Sequence, residues 1–122
     1  MGLDINSRDR KGSTPLHWAC FSKSEIAINY LLAWKPELNL RDSEGYTPLH
    51  LAIKIVDDIG SLRPVKALLI RGARKDIKDN WDRLPIDLIE EVENIDLANE
   101  LKIMLVNFLF KIFRVIKENA NF

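Results

Sequence analysis

Residues 9–19 read Asp-Arg-Lys-Gly-Ser-Thr-Pro-Leu-His-Trp-Ala, and nearly the same pattern returns at residues 42–52 as Asp-Ser-Glu-Gly-Tyr-Thr-Pro-Leu-His-Leu-Ala. The second copy begins 33 residues after the first, and a weaker third copy, residues 79–88, begins 37 residues after the second. The longer interval indicates a four-residue insertion, which we place at residues 57–60 between two helices. A fixed period of this length indicates stacked copies of one supersecondary unit.

Each unit carries the start signals of a short helix followed by a second helix. Thr14 is suited to accept a hydrogen bond from an orphan backbone N–H, and Pro15 suits the first helical position, where no N–H is needed. Gly12 and Gly45 suit tight turns that require a positive φ. The pattern predicts helices over 15–21 and from 24, over 48–55 and 62–71, and over 85–92 and from 95.

The Thr-Pro-Leu-His-x-Ala motif at a 33-residue period resembles the ankyrin repeat. Leu68-Leu69 followed by Gly72-Ala73 matches the usual ending of that family's repeats. The resemblance implies an all-α ankyrin-repeat solenoid of about three helix-turn-helix repeats with β-hairpin-like loops, plus a long C-terminal helix. It divides the chain into ankyrin repeats over 1–94 (2–8 the tail of a preceding repeat, 9–41 repeat one, 42–78 repeat two, 79–94 the start of repeat three) and an extended last helix over 95–122.

Charge and cysteine content exclude several classes of protein. The 18 basic residues balance 18 acidic residues, so net charge favours neither nucleic acid nor an anionic membrane. Cys20 is the single cysteine, so no intrachain disulfide forms and we expect a reducing, cytoplasmic setting. Residues 1–11 lack the apolar core of a signal peptide, and no run of about twenty apolar residues predicts a membrane span.

The histidines and the cysteine are predicted to be structural. His17 and His50 each follow a capping threonine by three residues, where the ring can bond back to the cap, and Cys20 fits a small buried position. No further ligands complete a metal set with His17, and nothing orients it as a base for Cys20. We therefore expect no enzyme activity, no metal and no cofactor. Trp18 aligns with Leu51 and Leu88 and is predicted to pack between helices.

The ankyrin resemblance implies which positions contact a partner protein or peptide, namely the hairpin tips and the end of the first helix of each repeat. Aromatic residues at such nominally exposed positions are typical of interaction hot spots. The alternative is that Tyr46 and Trp81 merely pack against neighbouring hairpins. The candidate partner-binding residues are Arg10, Lys11, Phe21, Tyr46, Ile55, Trp81 and Arg83.

The C-terminal segment is longer and more apolar than a repeat requires. Residues 95–116 contain no Gly or Pro, and within 103–116 only Asn107, Lys111 and Arg114 are polar, lying on one stripe. The pattern predicts one helix that caps the solenoid, binds a partner chain or a second copy, or lies on a membrane surface through 103–116. The candidate association residues are Phe108, Phe110 and Phe113.

Two stretches of the chain also resemble one particular group of ankyrin proteins, and that resemblance implies a more specific role. Leu16-His17-Trp18-Ala19-Cys20 and the stretched second repeat are similar to the ankyrin region of Asp-His-His-Cys palmitoyltransferases, which recruits substrates to those membrane enzymes. This chain lacks their catalytic motif, so no enzymatic residue is carried over. Three hypotheses result: a partner-binding module on the concave ankyrin face, a recruiting or regulatory domain of a larger membrane enzyme, and a self-associating module that uses the C-terminal helix.

Overall fold

Helices form all the regular structure in this computed structural model, which describes residues 4–120 and, for residues 107–114, the backbone alone. No β-strand is present among those residues, so the expected all-helical class is confirmed. The elements are α1 (Pro15–Phe21), α2 (Glu25–Leu32), α3 (Pro48–Lys54), α4 (Val56–Ile59), α5 (Arg63–Ile70), the 3₁₀ helix η1 (Pro85–Glu91) and α6 (Ile95–Ala120).

These helices pack as repeated pairs whose members stack in two rows. The pairs are α1 with α2, α3 with α5, and η1 with α6. Within the inner row α3 contacts both α1 and η1, and in the outer row α2 contacts α5. The core lies between the rows, and its largest fully buried apolar side chains come from every pair: Leu16, Ile28, Leu32, Leu49, Ile53, Val56, Val65, Leu68, Leu88 and Leu101.

The predicted helix caps are present in the first two inner helices. The hydroxyl of Thr14 accepts a hydrogen bond from the N–H of His17 at 3.3 Å, and the ring Nδ1 of His17 accepts one from the N–H of Thr14 at 3.1 Å. Thr47 and His50 repeat this reciprocal pair at 3.4 and 3.2 Å. Each box satisfies two backbone donors that a helix N-terminus would otherwise leave unpaired.

The third inner element departs from an α-helix where its cap is weaker. Leu84 stands in place of the capping threonine and offers no side-chain oxygen. Asp87 stands in place of the histidine, and its Oδ2 accepts a hydrogen bond from the N–H of Leu84 at 2.8 Å. With half of the box missing, residues 85–91 form a tighter 3₁₀ helix, which has poorer hydrogen-bond geometry than an α-helix.

The short helix α4 lies between α3 and α5 and links the second helix pair to the third. α4 ends at Gly60, whose φ of +63° is one that glycine adopts readily. The carboxylate of Asp57 accepts hydrogen bonds from the backbone N–H groups of Glu93 and Asn94 at 2.7 and 3.0 Å. Asp57 of α4 therefore holds the turn that leads into α6.

The last helix is the longest element and contacts η1. α6 has 26 residues, which corresponds to a length of about 39 Å at 1.5 Å per residue. Leu101 and Leu105 are buried, and the ammonium of Lys75 donates to the backbone carbonyl of Leu105 at 2.7 Å. The predicted association residues Phe108, Phe110 and Phe113 have side chains outside the described part of the structure. Among the described residues, no helix is long and apolar enough to cross a membrane.

Candidate functional site

Three hairpin loops, residues 9–13, 42–46 and 79–83, share one internal hydrogen-bonding plan. In each loop the Oδ1 atom of the leading aspartate accepts from the N–H groups two and four residues later, at 2.9 Å in all six cases. The N–H of that aspartate in turn donates to the carbonyl four residues on, at 2.9 to 3.0 Å. The aspartates thus shape the loops from inside, and their exposure differs: Asp79 is buried, Asp42 is half-buried and Asp9 is exposed.

Successive loops are joined to one another by backbone and histidine hydrogen bonds. The N–H of Ser43 donates to the carbonyl of Lys11 at 2.7 Å, and the N–H of Asn80 donates to the carbonyl of Glu44 at 3.0 Å. The Nε2 atoms of His17 and His50 lie 2.9 and 3.0 Å from the carbonyls of Tyr46 and Arg83 in the next loop. The three loops are therefore held in a row beside the inner helices.

The two histidines are neutral structural links, as predicted. A backbone N–H can only donate, so the Nδ1 atom that faces Thr14 or Thr47 is an acceptor and Nε2 carries the ring proton. Burial lowers the pKa of both rings below the ordinary value of 6.5, although the carbonyls that accept from Nε2 oppose the shift. Both ring nitrogens are already engaged, and the described residues hold no group of three or more potential metal ligands.

Cys20 is buried with its thiol 3.9 Å from the carbonyl oxygen of Pro48. Burial raises the pKa of that thiol to about 12. Because the thiolate is the nucleophilic form of cysteine, this side chain is inert at neutral pH. The predicted role of Cys20 as a small core residue is confirmed.

The third loop carries an aromatic and charged cluster that reaches the ends of α3 and η1. The rings of Tyr46 and Trp81 are 5.9 Å apart between centroids, and the guanidinium of Arg83 lies 5.4 Å from the Trp81 centroid. The ammonium of Lys54 lies 5.2 Å from the Tyr46 centroid and 3.4 Å from the carboxylate of Glu91. Both cation–ring distances are within the range of attractive cation–π interactions. Trp81 is nonetheless 58% exposed.

Arg83 holds this cluster together because all three of its guanidinium nitrogens have partners. They donate to the carboxylates of Asp79 at 2.9 Å and Glu91 at 3.0 Å, and to the hydroxyl of Tyr46 at 3.0 Å. Burial alone would raise the pKa of Asp79, but the N–H groups of Arg83 and Trp81 and the Arg83 guanidinium outweigh it and lower that pKa. The cluster is thus fixed in place before any ligand arrives.

We define the hairpin face as the surface formed by the three loops, residues 9–13, 42–46 and 79–83, together with the C-terminal ends of α1, α3 and η1. Four of the predicted partner-binding residues are exposed on this face, namely Arg10, Lys11, Phe21 and Trp81. Arg83 is half-buried. The expected exposure of Tyr46 and Ile55 was wrong, since each is only 6% exposed. Tyr46 lies among Trp81, Lys54 and Arg83, and Ile55 joins α3 to α4 as part of the core.

Trp18 is a second aromatic residue whose exposure the sequence analysis predicted wrongly. It is 55% exposed, whereas the aligned Leu51 and Leu88 are 2% and 1% exposed. Among the described residues no helix precedes α1, so the surface that a neighbouring inner helix contacts in the later repeats is open at Trp18. Its indole N–H donates to Asp9 at 2.7 Å, and its ring meets that of Phe21 edge-on at 5.7 Å. In the sequence, the feature that could have indicated an exposed Trp18 is Asp9, the acceptor of its indole N–H.

Comparison with known proteins agrees with this geometry. A family model described as ankyrin repeats in three copies matches residues 1–79, about two thirds of the chain. A search among curated proteins found no significant match. The repeated capping boxes, the loops joined in a row and the paired helices fall within the matched region or continue its pattern. The chain therefore belongs to the ankyrin-repeat family.

Proposed function

We propose that this chain is a non-catalytic module that binds a partner protein or peptide through the hairpin face. Ankyrin repeats generally mediate protein–protein interactions and are generally non-catalytic. One observation carries the choice of surface: Trp81 is more than half exposed and yet held by Tyr46 and Arg83. An aromatic ring that is already ordered loses little conformational entropy on binding, which is why such residues are enriched at interaction hot spots.

Phe21 and Trp18 extend the same surface at the first repeat. Phe21 is 46% exposed at the end of α1 and contacts the equally accessible Trp18 ring. Exposed aromatic side chains at both ends of the row of loops favour a ligand that spans several repeats. Arg10, Lys11 and Arg83 supply polar contacts between or beside these anchors, while Tyr46 and Ile55 support the surface from below.

The proposed setting is the cytoplasm, and the two alternative roles have less support. The comparisons point to the ankyrin family and give no evidence for a palmitoyltransferase domain. Self-association through α6 would rely on Phe108, Phe110 and Phe113, whose side chains are not described. A surface role for residues 103–116 on a membrane likewise has no supporting contact in the described residues.

A pull-down from host-cell lysate, read by mass spectrometry, tests the proposal with two matched double variants. Phe21→Ala/Trp81→Ala removes both anchors of the hairpin face, and we expect it to lose the reproducible partners of the wild type. Tyr30→Ala/Trp34→Ala removes two rings that are 66% and 65% exposed near the outer helix α2, and it should retain them. Tyr46 is left unchanged because its burial would mix folding with binding.

Equal helicity of the three proteins by circular dichroism is the required control. Retention of every partner by Phe21→Ala/Trp81→Ala would refute the hairpin face as the binding surface. Loss of the partners only in Tyr30→Ala/Trp34→Ala would move the function to the outer helices.

A further inference from the structure

Exposed cations that form no ion pair gather at the first two loops of the hairpin face. Arg10 and Lys11 lie in the first loop, and Arg8 and Arg41 immediately precede the first and second loops. None of the ion pairs in the described residues involves any of these four side chains. Asp9 and Glu44 are the exposed carboxylates of these two loops, and Asp42 is half-buried.

The aspartates of these loops form none of the ion pairs in the described residues with the four cations. Asp9 uses Oδ1 on the N–H groups of Lys11 and Ser13 and Oδ2 on the indole of Trp18. The Ser13 N–H lowers the pKa of Asp9 most, and the Trp18 indole, the Lys11 N–H and the positive charge of Lys11 lower it further. Asp42 likewise directs Oδ1 to the N–H groups of Glu44 and Tyr46. The carboxylates shape the loops, and the basic side chains are left facing solvent.

Two of the four cations are also fixed in position. The guanidinium of Arg8 donates to the carbonyl of Arg41 at 2.7 Å. Arg41 donates to the carbonyl of Gly45 at 3.3 Å and to the side-chain oxygen of Asn80 at 2.9 Å. These neutral acceptors orient the guanidinium groups but leave their positive charge uncompensated. Arginine held in this way suits recognition of a carboxylate, because less side-chain entropy remains to be lost.

The opposite end of the hairpin face has its charges paired. Lys54 pairs with Glu91, Arg83 with Asp79 and Glu91, and Lys78 with Asp82. What this end offers a ligand is the exposed ring of Trp81. The face is thus divided into a basic end at the first two loops and an aromatic, charge-balanced end at the third.

From this division we infer that the hairpin face takes an acidic peptide segment of a partner protein, with its Asp or Glu residues over Arg8, Arg10, Lys11 and Arg41 and an apolar side chain over Trp81. The inference rests on the proposed function and adds the chemistry of the ligand and the end of the face at which each part of it lies. A protein segment fits better than nucleic acid, because the chain has equal numbers of acidic and basic residues and places Glu44 and Glu91 on the same face.

Selection from a displayed library of random peptides on the full chain tests this inference. We expect enriched peptides to carry clustered Asp or Glu and one large apolar residue, and their affinity by fluorescence anisotropy to fall as salt rises. Arg10→Glu/Lys11→Glu should weaken binding at least about tenfold. Lys66→Glu/Lys102→Glu makes the same change in net charge at exposed positions on α5 and α6 and should change affinity less than about twofold.

A charge-swapped peptide supplies the positive control: replacing its acidic residues with Lys should restore binding to Arg10→Glu/Lys11→Glu. Selected peptides that lack acidic residues but lose affinity on Trp81→Ala would overturn the inference and leave the proposed function intact. Selected peptides whose affinity is unchanged by Trp81→Ala would instead count against the proposed function itself.

Two further outcomes would also overturn the inference. One is the enrichment of no peptide at all, in which case the pull-down still decides the proposed function. The other is comparable binding of a random-sequence single-stranded RNA that is abolished by Arg10→Glu/Lys11→Glu, which would assign the cations to nucleic acid.

Discussion

At the scale of single residues, polar side chains divide into those that hold the loops and those that face solvent. His17, His50, Asp9 and Asp79 all hydrogen-bond to backbone groups of their own or the next loop. These side chains satisfy backbone N–H and C=O groups that are costly to leave unpaired and that no β-sheet partner satisfies. Arg8 and Arg41 do both, since they bond to loop oxygens and are also exposed.

The histidine links predict a specific loss of stability on mild acidification. Protonation of Nδ1 would place a second N–H against the donor of Thr14 or Thr47, and the folded pKa lies below 6.5. The unfolded chain therefore binds more protons than the folded chain just below pH 6.5, so the free energy of unfolding falls as pH decreases through that window. Urea denaturation should give a lower midpoint at about pH 5.5 than at about pH 7.5, with an unchanged slope.

The variant His50→Gln separates this effect from a general response to pH. It removes one of the two titrating links, so the drop in midpoint between the two pH values should be smaller than in the wild type, even if the variant is less stable at both. The lowered pKa values of Asp9 and Asp79 place their titration at more acidic pH, outside this window. An identical midpoint for the wild type at both pH values would contradict the assigned tautomer and burial.

At the scale of elements, each helix is short and depends on how it begins and ends. The outer helices α2 and α5 have eight residues each, too few to be stable in isolation. After α5 the chain turns at Gly72 with φ of +94°, and at the corresponding place after α2 it turns at Lys35 with φ of +54°. A residue with a Cβ atom is disfavoured in this left-handed conformation, so the first repeat carries local strain that the second avoids.

Replacing Lys35 with glycine should therefore stabilise the protein. Relief of the left-handed conformation outweighs the greater freedom that glycine gives to the unfolded chain, and we expect a gain of about 0.5–1 kcal/mol in the free energy of unfolding. The matched control is Lys66→Gly in the interior of α5, where the same substitution should cost about 1 kcal/mol. Urea denaturation measures both, and a change of the same sign in the two variants would contradict the explanation.

At the scale of the whole molecule, stability comes from contacts between neighbouring repeats. The inner row places α3 between α1 and η1, so the central repeat is covered on both sides, whereas the last pair depends on α6. Leu101 is fully buried where α6 packs on η1, and Ile103 on the same helix is 47% exposed. The first part of α6 is therefore the outer helix of the last pair, and we expect it to act as the cap that a terminal element of a repeat array supplies.

If α6 caps the array, Leu101→Ala should lower the free energy of unfolding by about 2–4 kcal/mol, because it leaves a cavity between α6 and η1. Ile103→Ala removes a similar number of atoms from a half-exposed site and should cost less than about 1 kcal/mol. Both are measured by urea denaturation followed by circular dichroism. Equal, small effects of the two substitutions would show that α6 is not part of the cooperative fold.

The local features of this protein could be predicted from the amino-acid sequence because they depend on residues three or four positions apart. Thr14 with His17 and Thr47 with His50 set the starts of α1 and α3, and the weaker third copy of the motif, which has Leu84 in place of threonine, forms a 3₁₀ helix. Exposure could not be predicted in this way, because it depends on which neighbouring repeat covers a given position. Tyr46 is buried by residues of the next loop, and Trp18 is exposed where no helix among the described residues precedes it, although the sequence analysis predicted the reverse for both. The division of the hairpin face into a basic and an aromatic end has the same origin: only the packed loops decide which carboxylates form ion pairs and which cations remain without one.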